Sequence, residues 1–181
     1  MERFKVSYSF LSLWSKGKVD EAIDCWFHTN QKPTEAMKQG KDIHKQIENH
    51  ILSEGLFPPF MPQIPLHNPL PEQKYRVKYN ELFDLSFVID LEDGLDIHEF
   101  KTGRQSVLKW ANTEQIPLYF LGKELMGVHI DKAYLSHYNQ YTSEKEFVII
   151  YNTPKLISKA KNFIDSIAPE AYQFFKDQGL I

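Results

Sequence analysis

The sequence predicts a single α/β domain, a mixed β-sheet flanked by helices. Three observations lead there. Apolar residues recur at helical spacing toward both ends of the chain, the period shortens to two near residue 75, and an Asp-Gly pair divides two runs rich in Phe, Val, Ile and Leu. With 181 residues, 42% of them hydrophobic and 25% charged, the chain can bury one core and is not generally disordered. We expect one domain over 1–181.

The elements follow in order. From Ser9 to Trp26, the positions Phe10, Leu13, Trp14, Ala22, Ile23 and Trp26 read as two short helices around a turn at Ser15-Lys16-Gly17-Lys18. After Pro33-Thr34 a longer helix carries Met37, Gly40, Ile43, His44, Ile47 and Ile51 on one stripe and ends near Ser53-Glu54-Gly55. Prolines at 58, 59, 62, 65, 69 and 71 then deny regular hydrogen bonding. The large apolar residues among them predict a packed loop over 56–73 and not a linker. Tyr75 to Tyr79 and Leu82 to Leu91 read as strands, with Leu95 to Phe100 returning after a tight turn centred on Asp93 and Gly94. Ser106 opens a helical pattern to Leu125, in which Pro117 either makes a kink or lies in the first turn of a new helix capped by Thr113. Val128 to Tyr138 and Phe147 to Tyr151 are further strands, and Pro154 to Phe175 a closing helix.

Chemistry concentrates in FDLSFVIDLEDGLDIHEFKTG. Glu99 and Lys101, two apart on a strand, project from one face, whereas His98 points to the other. A turn centred on Asp93 and Gly94 sets Val88 opposite Glu99 and Ser86 opposite Lys101, so parity adds Asp84 and Asp90 to that face. Carboxylates and a lysine converging in this way suit Mg²⁺ or Mn²⁺, with the ammonium helping to orient and deprotonate a water. An isolated Glu-x-Lys is more often a solvated ion pair.

Four further pieces stand in a fixed order: VSYSFLSLW, then Ala36, Gly40 and His44 spaced by four, then Asp84 with Glu99-Phe100-Lys101-Thr102-Gly103, then Gln115 with Tyr119. Together they resemble the PD-(D/E)XK nuclease superfamily in its RecB-like branch, over residues 6 to 119. The resemblance implies a restriction-endonuclease-like core and a metal-dependent DNA nuclease. An exonuclease acting on single strands or duplex ends is the form it suggests most directly. It implies Mg or Mn held by His44, Asp84, Glu99 and the Phe100 carbonyl, with Lys101 positioning the attacking water. Gln115 and Tyr119 would orient Lys101 or a substrate phosphate. Asp90 is a rival to Asp84 by parity, and a strict two-residue turn sets it diagonal to Glu99; the spacing to Glu99 favours Asp84, given a bulge or longer loop around Leu91 to Leu95 that shifts the register. The lone Cys25 excludes the iron–sulfur cluster of the otherwise similar CRISPR spacer-processing exonucleases.

Net charge is −3, so DNA contact would depend on a local basic strip, for which Arg104, Lys109 and Lys123 are the candidates. Single cysteine usage and the absence of a long apolar run point to a cytoplasmic protein with no membrane attachment. A helicase, recombination or CRISPR-adaptation partner is compatible with the resemblance. The alternative from another functional class is a catalytically silent DNA-binding or assembly subunit of the same fold.

Overall fold

The computed structural model describes residues 3–29 and 33–181. Twelve elements follow in order: β1 (Phe4–Val6), α1 (Tyr8–Trp14), α2 (Val19–Phe27), α3 (Glu35–Glu54), β2 (Pro69–Lys78), β3 (Phe83–Asp93), β4 (Asp96–Thr102), α4 (Val107–Ala111), α5 (Gln115–Leu125), β5 (Lys132–Asn139), β6 (Glu144–Tyr151) and α6 (Pro154–Asp177). Helices α1 and α2 flank the expected turn. Helix α3 starts at Thr34, whose hydroxyl accepts from the Met37 amide, and stops at Gly55, which adopts φ +71°. Pro117 lies in the first turn of α5, where a missing amide hydrogen costs nothing. Thr113 does not cap that helix; its hydroxyl donates to the Trp110 carbonyl at 2.8 Å.

The sheet is mixed. β2 runs antiparallel along β3 from Pro69 to Lys78 and, among the described residues, has no strand on its far side, so Pro69 and Pro71 fit an edge that needs no amide there. The strand therefore starts inside the segment read as a packed loop. Earlier in that segment Phe57 and Met61 are buried, as the apolar content required. β4 pairs antiparallel with β3 and parallel with β5, and β6 closes the far edge.

On the edge of β3 away from β2, two strands attach at opposite ends. β1 pairs in parallel with Phe83 to Leu85, and β4 pairs only with Leu91 to Asp93. The residues between, 86 to 90, pair with neither. β1 has only three residues, too few to show a period in the sequence.

Two cores lie on opposite faces. Phe87, Ile89 and Ile97 pack with β1, α1, α5 and α6, whereas Leu91 and Phe100 pack with Ile47 and Ile51 of α3 and with Phe57 and Met61. Ile89 and Leu91 are two apart, yet join different cores. The alternation of β3 therefore slips at Asp90, and parity cannot be carried from Asp84 to Glu99. Glu72, the β2 residue between those paired with Leu91 and Ile89, adopts φ +48° beside this slip.

The hairpin turn also differs from expectation. Asp93 pairs with Asp96, which centres the turn on Gly94 and Leu95, with Gly94 at φ +66°. Asp93 is retained in the strand because its buried carboxylate accepts the His67 amide at 3.0 Å and also the Asn68 amide. The shift of two in register carries Glu99 from Val88 toward Asp90.

The α5 face against β3 leaves no room at Gly122, where an added Cβ would fall 2.2 Å from the Phe87 ring. Gly122→Ala should therefore destabilise by about 1–3 kcal/mol despite alanine's higher helix propensity. Urea melts of Gly122→Ala, Phe87→Leu and the double variant check this: Phe87→Leu should cost less in the Gly122→Ala background than alone. Strict additivity would remove the steric explanation.

Candidate functional site

The site opens where β3 and β4 diverge. A cleft of about 390 Å³ is lined there by Ser7, Ser9, Asp90, Glu99, Gln115 and Tyr119, among others. Asp90 substitutes for the absent ladder: its Oδ2 accepts the Phe100 amide at 2.7 Å. Its Oδ1 faces His44 Nδ1 from α3 at 3.8 Å, beyond hydrogen-bond range. Helix α3 comes close at Gly40, where a Cβ would meet Thr102 Oγ1 at 3.1 Å, and His44 follows one turn later.

Glu99 is buried in a closed polar network. Lys101 Nζ donates to Glu99 Oε1 at 2.6 Å and to Gln115 Oε1 at 2.8 Å. The Gln115 amide donates to Glu99 Oε1 at 2.6 Å and to the Tyr119 hydroxyl at 2.6 Å, and that hydroxyl donates to Glu99 Oε2 at 3.1 Å. The Trp110 ring lies 4.9 Å from the Lys101 ammonium. Gln115 and Tyr119, one helical turn apart, therefore fix both the carboxylate and the ammonium.

The charges follow from this packing. Burial, and next the charge of Glu99, push the Asp90 carboxyl well above its usual range. Burial lowers His44 against the pull of Glu99, which favours neutral imidazole, the form that binds metals. Burial would lower Lys101 too, but the Glu99 carboxylate outweighs it and holds the ammonium above its ordinary value. This favours the ammonium form of Lys101, which donates to Glu99 and Gln115. Tyr119 is pushed well up by burial and by Glu99, so it remains a donor.

Among the described residues, no three His, Cys, Asp or Glu side chains form a ready-made metal cage. The donor set nevertheless fits a hard dication. Asp90 and Glu99 are two neighbouring carboxylates, and Asp90 Oδ1 turns toward the His44 imidazole, whose neutral form burial favours.

Asp84 lies elsewhere. Six residues before Asp90 on β3, it is about 20 Å away along the strand. Its carboxylate pairs with Arg3 and, at 2.9 Å, with Arg76 Nε. Burial acts to raise its pKa, but the two guanidiniums outweigh that and leave it below the usual range. The structure does not bring Asp84 to Glu99, as the spacing led us to expect; the hairpin register and the slip in β3 place Asp90 beside Glu99 instead. Lys123 is also displaced from its expected role: it is 4% exposed and donates to both Glu92 oxygens, at 3.0 and 2.9 Å. Arg104 and Lys109 are exposed beyond β4, with Arg104 over the Tyr141 ring at 4.3 Å. Glu72, whose charge reaches His44 and Asp90, carries no signal in the sequence because prolines surround it.

No protein-family model matches the chain, and no curated protein matches it significantly. Solved structures do. A phage-related exonuclease from Haemophilus somnus 129PT superposes with a TM-score of 0.61 at 13% identity, over 98% of this chain and 97% of that one. The alkaline exonuclease LHK-Exo from Laribacter hongkongensis gives 0.56 at 14% identity, over 97% and 93% of the two chains. A second structure of that enzyme, in complex with dAMP, gives 0.54. The chain has the nuclease fold, a central mixed sheet flanked by helices, that these exonucleases share. No helix among the described residues is long and apolar enough to cross a membrane.

The two aspartates differ in sign of contribution to stability. A depressed folded pKa makes Asp84 stabilising above the ordinary carboxylate range, an effect lost as acid protonates it. A raised one makes Asp90 a cost that grows as pH climbs toward its folded pKa. In chelator at pH 7 to 8, Asp84→Asn should lose about 1–3 kcal/mol in urea melts, and Asp90→Asn should be neutral or stabilising. The reverse order would contradict the assigned environments.

Proposed function

We propose that this protein is a metal-dependent nuclease that hydrolyses phosphodiester bonds in DNA, with Mg²⁺ or Mn²⁺ as cofactor. The observation that carries the reading is the convergence of Asp90 and Glu99 in one cleft, with Lys101 bonded to Glu99, in a fold shared with exonucleases. Exonuclease action is favoured by those neighbours, and single strands or duplex ends are the substrates that the sequence resemblance suggests. A cytoplasmic setting and a helicase, recombination or CRISPR-adaptation partner accord with this reading.

His44, Asp90, Glu99 and the Phe100 carbonyl would hold the metal. When bound, the ion would polarise the scissile phosphate and lower the pKa of a water. The protein's own groups do the rest. Lys101, pinned between Glu99 and Gln115, presents a fixed positive charge beside the cleft, able to orient a water and to offset charge on the phosphate oxygens. Tyr119 and Gln115 hold Glu99 in one rotamer, so its carboxylate does not reorganise during reaction. Arg104 and Lys109 remain candidates for contact with the phosphate backbone.

The test is cleavage of end-labelled single- and double-stranded DNA in Mg²⁺, Mn²⁺ or EDTA, with metal binding followed by the rise in Tm. Lys101→Ala should lose about 10²- to 10⁴-fold in kcat while keeping the metal-induced rise. Glu99→Ala and Asp90→Asn should lose both, and Asp84→Asn should keep the metal-induced rise. Full activity in EDTA, or an Asp84→Asn that still folds but loses the metal-induced rise, would overturn the reading.

A further inference from the structure

A second cavity, of about 530 Å³, lies around the start of β3. Its lining includes four cations, Arg3, Lys5, Arg76 and Lys176, and two aromatic rings, Trp26 and Tyr172. Asp84 accepts from both guanidiniums through their Nε atoms, so one carboxylate holds the two arginines in place. The Arg76 guanidinium also donates to the Arg3 carbonyl at 3.1 Å. Lys5 lies 5.9 Å from the Trp26 ring and Lys176 5.6 Å from the Tyr172 ring. Flat apolar faces and ammonium groups thus alternate around one hollow rich in cations.

The hollow adjoins the carboxylate cleft. Lys5 and Trp26 line both. About 20 Å of β3 separates Asp84 from Asp90, so the acidic end of this groove lies several nucleotides from its basic end. A ligand suited to such a surface carries phosphates for the cations and a planar ring for the aromatics, and is long enough to run between the two ends. Free carboxylates or simple anions use only the first of these features.

We propose that the basic aromatic cavity binds a nucleotide unit of a DNA single strand, several nucleotides from the bond in the cleft. Lys5, Lys176 and the arginine pair take its phosphate, and Trp26 or Tyr172 takes its base. Asp84, which the site itself does not use, organises this cavity by fixing Arg3 and Arg76. The proposal rests on the DNA reading above for the identity of the strand.

Binding is measured by fluorescence anisotropy of labelled dT12 in EDTA across a salt series, for the wild type, Lys176→Ala and Lys176→Glu. Lys176 is exposed in the last turn of α6, so the variants should fold, which circular dichroism confirms. Lys176→Ala should reduce the slope of log K against log salt by about 0.7, the value for one phosphate contact on a single strand. Lys176→Glu should weaken binding further, and dTMP should compete better than inorganic phosphate at equal ionic strength. Unchanged affinity and slope in both variants, or equal competition by phosphate and dTMP, would overturn the assignment. If dT12 binds as described and no metal supports cleavage, the cavity assignment stands and the nuclease reading fails. Metal-dependent cleavage with dT12 binding that is indifferent to Lys176 does the opposite.

Discussion

The molecule is organised by an unfilled length of hydrogen-bonding edge. β3 is bound along one side by β2, but on the other β1 and β4 attach only at its two ends. A continuous β3–β4 ladder would pair Asp90 backbone to backbone and close the cleft. Instead the Asp90 carboxylate reaches across to the Phe100 amide, so a side chain takes the place of a carbonyl. That one substitution explains why a charged group sits between two packed cores, and why Glu99, Phe100 and Lys101 lie against it.

Helix α5 makes the acidic sheet tolerable. Gln115, Tyr119 and Lys123 follow one another at intervals of four, so they form one stripe down the helix. The first two meet Glu99 of β4 and the third meets Glu92 of β3, with the Tyr75 hydroxyl completing the second network at 3.2 Å. Buried carboxylates need such partners, since an unpaired one would be neutralised or would destabilise the fold. The same stripe serves structure at one end and the candidate chemistry at the other.

Much of this is legible in the sequence, and what is not shares a cause. The helices, the hairpin, the grouping of Glu99 with Lys101, and the pairing of Gln115 with Tyr119 all follow from spacing within one element. Spacing to Glu99 favours Asp84, a strict hairpin register favours Asp90, and strand parity cannot separate the two. What separates them is a slip in β3 that depends on two distinct cores. The turn sits one residue later than the Asp-Gly pair suggests because Asp93 is held by amides of His67 and Asn68, far away in sequence. Lys123 has the pattern of a surface cation, and only its contact with Glu92 shows it buried. β1 needs its parallel neighbour to be a strand at all. Each difference concerns a contact between distant segments, which local pattern does not encode.

The close approach at Gly40 gives α3 a mechanical character. His44 is fixed by no short hydrogen bond to Asp90, and its position depends on how the helix rests against the end of β4. Gly40 is the fulcrum of that lever: the hydrogen in place of a side chain sets the height of the helix, and the imidazole one turn along inherits it. A carbon added at residue 40 would be felt at residue 44 as a displacement, so the smallest residue in the helix governs the reach of the imidazole that faces Asp90.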